Sequence, residues 1–228
     1  MHCSTILSFL PVLALPATAA PSSAKRASST CPSYTIINTR GTGESQGQSA
    51  GFKTMNSRIT SQLPGGTIYS TVYEAGWSQD SEAGTEDILD KIKSTLASSP
   101  DECFVLEGYS QGAAATVNAL PQIAGDAFDA VKGVFLIGDP EHKAGLACNV
   151  DNNGGTTTKS ARGMEASGSG GIPDNWVSKT LDVCIYGDGV CDAAHGFGIT
   201  MQHLEYSSDS ATQNLGTTFV VEKLGGSS

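Results

Sequence analysis

Positive charge is scarce in this chain. Thirteen Lys and Arg stand against 23 Asp and Glu in 228 residues, a formal net charge of −10. That balance excludes the broad basic surface that draws nucleic acid or an anionic membrane, so neither is expected as a partner and a neutral substrate fits better. Cysteines at Cys-x-x-Cys spacing are also missing, which removes the usual zinc signature. The two Gly-rich nucleotide signatures fail in turn. Gly41-Thr42-Gly43-Glu44 begins like a dinucleotide fingerprint, but Gln46 stands where the third glycine is needed. No Gly-Lys-Ser/Thr follows, so a phosphate-binding loop is excluded as well. No metal and no cofactor are therefore expected. Beyond the first twenty residues there is no hydrophobic run long enough to suggest a membrane-spanning helix.

The first residues do contain a short apolar stretch, Ile6 to Leu15, followed by Ala17-Thr18-Ala19. This reads as a secretory leader, too short to span a bilayer, with cleavage expected after Ala19 because a cut after Ala20 would place Pro21 next. Lys25-Arg26 is a dibasic site for a kexin-type processing protease. The expected division is a leader over 1–19, a short propeptide over 20–26 and one domain over 27–228. Without Lys25 and Arg26 the remainder holds 11 basic and 23 acidic residues, or −12. A soluble, secreted monomer is expected. Of the six cysteines, Cys3 falls in the leader, leaving Cys31, Cys103, Cys148, Cys184 and Cys191. In a secreted chain, pairs of cysteines are expected to be disulfides. Cys184 and Cys191 enclose a short loop, and Cys31 and Cys103 each stand just before a predicted strand. Cys148 is left over, and a buried free thiol is the expectation for it.

The chain organises around Ser110. Phe104, Val105 and Leu106 predict a buried strand, Gly108-Tyr109-Ser110-Gln111-Gly112 matches Gly-x-Ser-x-Gly, and Ala113, Ala114 and Ala115 favour a helix. Strand, tight turn and helix are the context of a nucleophile elbow, which holds a serine exposed in a strained conformation. Around it, strands are predicted at Tyr34 to Asn38, Thr67 to Tyr73, Val131 to Ile137 and Leu181 to Tyr186. Phe52, Met55, Ile59 and Leu63 space like one helix face, stopped by Pro64-Gly65-Gly66. Thr85 is the expected cap of a helix whose buried face is Ile88, Leu89, Ile92 and Leu96. A short helix over 172–179 and a last helix from about Asp209 to Leu224 complete the pattern. Strands alternating with helices imply an α/β fold with a parallel sheet covered on both faces. From Glu141 to Gly171 the chain reads as mostly loop, and a loop of that length often borders a site.

A serine hydroxyl needs a base, and the base needs an orienting carboxylate. His203, just before the last helix, is the favoured base over His195; His142 comes too early for the usual Ser, Asp, His order. Asp188 follows the fifth predicted strand at the carboxyl edge of the sheet, where sites gather. Asp139 is its rival, with Asp182 expected inside a strand and Asp192 outside the 184–191 loop. For the oxyanion, Gln111 supplies the N–H after the nucleophile, and Thr42 can supply a second donor from the loop after the first strand. Phe197, Ile199 and Met201 are candidates for an apolar rim, or for packing under their loop.

Together these segments resemble the cutinases and the related fungal acetylxylan esterases. Gly108 to Gly112 looks like the family's elbow, Arg40-Gly41-Thr42 its oxyanion loop, Cys184 to Cys191 its bridged aspartate loop, and His203-Leu204-Glu205-Tyr206 its His-Leu-x-Tyr segment. The resemblance implies a three-layer α/β/α hydrolase-like fold with a five-stranded parallel core and no lid. It also implies the pairs Cys31–Cys103 and Cys184–Cys191, and it selects Asp188 and His203 over their rivals. The implied activity is hydrolysis of carboxylic esters in a polyester or an acylated polysaccharide. The long Gly/Asn segment 151–171 and the unpaired Cys148 depart from the family pattern.

Overall fold

The computed structural model describes Met1 and residues 31–225. The expected leader and dibasic site lie outside the described residues. β1 (Tyr34–Thr39), β2 (Gly66–Ser70), β3 (Cys103–Tyr109), β4 (Val131–Ile137), β5 (Asn149–Val150) and β6 (Thr180–Val183) form one sheet in the order β2-β1-β3-β4-β6-β5. Every pairing is parallel. The sheet therefore has six strands where five were expected. The addition is β5, a two-residue strand inside the stretch read as loop, pairing Asn149 with Asp182 and Val150 with Val183. Two residues carry no periodicity, so nothing in the sequence marks them.

The central strands are buried on both faces, and successive side chains go to opposite layers. On one face Ile36, Val105, Phe135 and Ile137 pack against α1 (Lys53–Gln62) and α6 (Ser210–Lys223), through Met55, Ile59, Val220 and Val221. On the other, Ile37, Phe104, Leu106, Val134 and Leu136 meet α2 (Glu82–Ser98) and α3 (Gln111–Ala119), through Ile88, Ile92, Ala113 and Val117. This is the three-layer arrangement. Thr85 does not cap α2, which starts at Glu82 after Ser81; Thr85 is buried inside it, its hydroxyl donating to the Ala115 carbonyl at 2.9 Å. The second and last strands stop early, at Ser70 and Val183, because the chain turns into the loops that approach the site. The predicted helix over 172–179 is a 3₁₀ helix, Asp174–Lys179, and a short α4 (Asp126–Ala130) was not anticipated. Cys31 is bridged to Cys103 and Cys184 to Cys191, leaving Cys148 buried and free. Burial, with the nearby Asp182 charge, pushes the Cys148 thiol up to about 12, so it is not a thiolate at neutral pH.

Glu107 and His142, with buried Asp139 raised in the same direction by burial and the Asp182 charge, set the expected pH dependence of stability. Glu107 in β3 accepts hydrogen bonds from Asn38 at 2.6 Å and Asn56 at 2.8 Å. Burial pushes its carboxyl up to about 8, against the pull of those two amides. His142 Nδ1 lies 2.7 Å from Asp182 Oδ2, both fully buried, as a charge contact without hydrogen-bond alignment. Burial alone would lower His142, but Asp182, with the Asp139 charge behind it, outweighs burial and holds the imidazole at about 9. Both values exceed the ordinary ones of about 4.3 and 6.5. Each contribution is thus whole below the ordinary value and is lost as pH rises through the raised one. Denaturant titrations should show stability falling steadily across pH 5 to 9. Glu107→Gln, which stays neutral, should flatten the lower part of that fall. A parent protein whose stability is level or rising over this range would contradict the assignment.

Candidate active site

Ser110 sits between β3 and α3 with φ +55° and ψ −123°, a region that a residue with a side chain enters only under constraint. Gly112 makes the turn possible. A Cβ there would lie 2.2 Å from the Thr39 carbonyl oxygen, so only glycine lets α3 start this close to the end of β1. The Ser110 N–H donates to the Ile137 carbonyl at 3.1 Å, fixing the elbow to the neighbouring strand end. As the first residue of α3, Gln111 has an N–H without a partner inside the helix, at its positive end.

His203 lies in a short helix, α5 (Met201–Leu204), just before α6; Thr200 caps it, accepting from the His203 N–H. His203 Nε2 is 3.0 Å from Ser110 Oγ. Its Nδ1 is 2.9 and 3.0 Å from the two oxygens of Asp188, which is fully buried. With Asp188 as carboxylate, Nδ1 carries the proton and Nε2 presents a lone pair to the serine hydroxyl. The imidazole is seated on Gly138 at the end of β4. That residue has φ +59°, and a Cβ there would come 2.8 Å from His203 Cε1 and 3.1 Å from Asp188 Oδ2.

Each of the three described histidines has an aspartate. His142 meets Asp182 in the core, and His195 meets Asp192 at 2.9 Å on the surface, its ring 4.5 Å from Tyr186. Among the described residues, only the His203–Asp188 pair has a serine within hydrogen-bond reach. The sequence rival Asp139 is buried beside His142 rather than at His203, and its Oδ1 accepts from the Glu141 N–H.

Thr42 stands at the mouth beside Ser110, its hydroxyl 3.1 Å from both Gln111 Oε1 and Gln79 Oε1. Its loop is tied down by Arg40, whose guanidinium donates to the carbonyls of Glu44, Thr71, Tyr73 and Glu74 and to the side chain of Gln46. Glu44 closes the other side, accepting from the N–H groups of Gly41 and Ala50, both at 2.7 Å. Phe197, Ile199 and Met201 are all exposed. Ile199 joins Thr42, Gln79, Ser110, Met164 and Val190 in lining a cavity of about 160 Å³; Phe197 and Met201 lie outside that lining. No lid covers Ser110 among the described residues.

The cutinase family profile matches residues 30–224. The chain belongs to the cutinase family. It is a carboxylic-ester hydrolase of that family, with the cutinase-like α/β hydrolase fold. A solved cutinase-like protein from Cryptococcus sp. is 64% identical, with a TM-score of 0.87, covering 89% of this chain and all of that one. The carboxylesterase Culp1 of Mycobacterium tuberculosis is 27% identical over 85% of this chain and 82% of its own length. The catalytic core domain of an acetyl xylan esterase from Trichoderma reesei is 26% identical, with a TM-score of 0.69, covering 85% of this chain and 99% of that one.

Sequence reasoning missed several supporting residues. Tyr206, seen only as part of a motif, donates from its buried hydroxyl to Asp188 Oδ2 at 2.7 Å and accepts from the Ile185 N–H. Tyr109, the variable position of the elbow, donates to the His203 carbonyl at 2.6 Å. The signal for Tyr206 was its place three residues after His203, within reach of whatever that histidine touches. Tyr206→Phe removes one hydrogen bond to a buried carboxylate. The expected result is a roughly tenfold fall in kcat with KM little changed. Steady-state kinetics on a soluble ester would check it, and unchanged kcat would remove Tyr206 from the relay.

Proposed function

We propose that this protein is a secreted serine esterase hydrolysing cutin or similar aliphatic polyesters through an acyl-enzyme. Ser110 attacks the ester carbonyl as His203 Nε2 takes its proton, and Asp188 holds the ring and balances its charge. The N–H of Gln111 and the donors of Thr42 receive the negative charge that develops on the carbonyl oxygen. His203 then hands the proton to the leaving alcohol. Water attacks the acyl-serine by the same route and frees the acid. The observation that carries this reading is the continuous contact from Ser110 Oγ to His203 to Asp188, at 3.0 and 2.9 Å. It also speaks against an idle binding protein of the same fold. Exposed Phe197, Met201 and Trp77 suit an apolar polymer, and two disulfides suit an oxidising exterior.

A second reading, removal of acetyl groups from xylan, has its own support in the small size of the cavity at Ser110. Purified protein should be offered cutin, an aliphatic polyester film and acetylated xylan in parallel. The polyester reading expects release of hydroxy acids to outpace release of acetate. Strict acetate release would overturn it in favour of the second.

A further inference from the structure

The segment 162–166 lies within the Gly/Asn-rich stretch that departs from the family pattern, and it is held in place from two sides. The N–H of Gly163 donates to the His142 carbonyl at 2.9 Å, and that of Glu165 to Pro140 at 2.8 Å, fixing it to the exit of β4. The N–H of Met164 donates to the Val190 carbonyl at 2.9 Å, and that of Ala193 to Arg162 at 2.9 Å, fixing it to the loop that carries Asp188. Met164 is thereby set as one wall of the cavity at Ser110, together with Val190 and Ile199.

The cavity must take the acyl side of the ester. The leaving oxygen has to face His203 Nε2 to receive its proton, and His203 does not line the cavity, whereas Ser110 and Thr42 do. At about 160 Å³ the space is smaller than an ordinary small-molecule site of roughly 300–1,000 Å³, so it houses one arm of the substrate and leaves the rest outside.

We infer that Met164, half exposed on the wall of the acyl cavity, is a specificity-determining residue that limits how long a linear acyl chain can be well seated there. This rests on the Ser110 esterase reading. Each methylene that enters the cavity should raise kcat/KM about fourfold, and each one beyond the wall should add little. Longer chains continue over exposed surface and gain no further burial.

The test is a series of p-nitrophenyl esters from acetate to dodecanoate with the purified full chain. Active-site titration with a phosphonate gives the competent fraction of each variant. The parent should show kcat/KM climbing steeply over the short acyl chains and then breaking. Met164→Ala should move the break at least two carbons longer, and Met164→Trp should bring it at least two carbons shorter. Ile199→Ala, which opens another wall, should also lengthen the optimum and guards against a misfolded Met164 variant. A labelled, active parent whose profile climbs unbroken to dodecanoate overturns the cavity limit alone. A break that stays in place in both Met164 variants, each labelled by the phosphonate, overturns the role of Met164, whatever Ile199→Ala does. A parent that neither hydrolyses any ester nor takes up the phosphonate overturns the esterase reading and the cavity with it.

Discussion

Ser110→Ala should lower kcat on a soluble ester by roughly a millionfold, because nucleophile and base act as one unit and neither is useful alone. Binding should survive, since the cavity and the Thr42 loop are untouched. Phosphonate uptake should vanish, and its persistence would place the nucleophile elsewhere. A companion change separates chemistry from fold. Ser110 holds φ +55°, a conformation that costs on the order of 1–3 kcal/mol for a residue with a side chain. Ser110→Gly should therefore be equally inactive yet more stable by about 1 kcal/mol. An inactive protein that gains stability is the mark of strain held for function. A glycine variant less stable than the parent would show that the elbow is not strained.

Asp188→Asn is the second large effect, a loss of roughly ten-thousandfold in kcat with the geometry preserved. The amide nitrogen cannot accept from His203 Nδ1, so the proton shifts to Nε2 and faces the serine hydroxyl donor to donor. The side chain is fully buried and touches His203, Tyr206 and the Val190 N–H, which donates to Oδ1 at 2.9 Å. The loss should ease as pH rises, because hydroxide can replace the missing base. Asp192→Asn removes the carboxylate paired with His195, and Asp139→Asn one that accepts from the Glu141 N–H; neither touches His203, and both should leave most activity. If either of them equals Asp188→Asn, the pairing is misassigned.

The elbow was legible because all of its determinants are local. The apolar run Phe104, Val105 and Leu106, two glycines and three alanines lie within thirteen consecutive positions. The Asp and His were legible only as residue types. Asp139, Asp182, Asp188 and Asp192 each end, enter or follow a strand, and three of them pair with a histidine. Order along the chain narrows these choices, and the motif resemblance ranks them, but distance alone separates them. Gly138 and Tyr206 act through contacts that close only when β4, the bridged loop and α5 meet, so no short window contains the signal. The cavity wall at Met164 is harder still, since its position depends on hydrogen bonds to Pro140, His142 and Val190. Thr85 shows the opposite error: a good capping residue lies inside α2, where its hydroxyl donates across to the Ala115 carbonyl of the neighbouring helix instead of to its own helix end.

The Cys31–Cys103 bridge places the start of the described domain at the head of β3, and Lys223, the last residue of α6, packs beside Gly133 near the head of β4. Ser110 opens at the other end of the same strands. Anything joined near residue 31 or residue 225, whether a carrier protein, a resin or a second module, is thus attached at the back of the molecule. An enzyme anchored there keeps its working face turned outward and unobstructed.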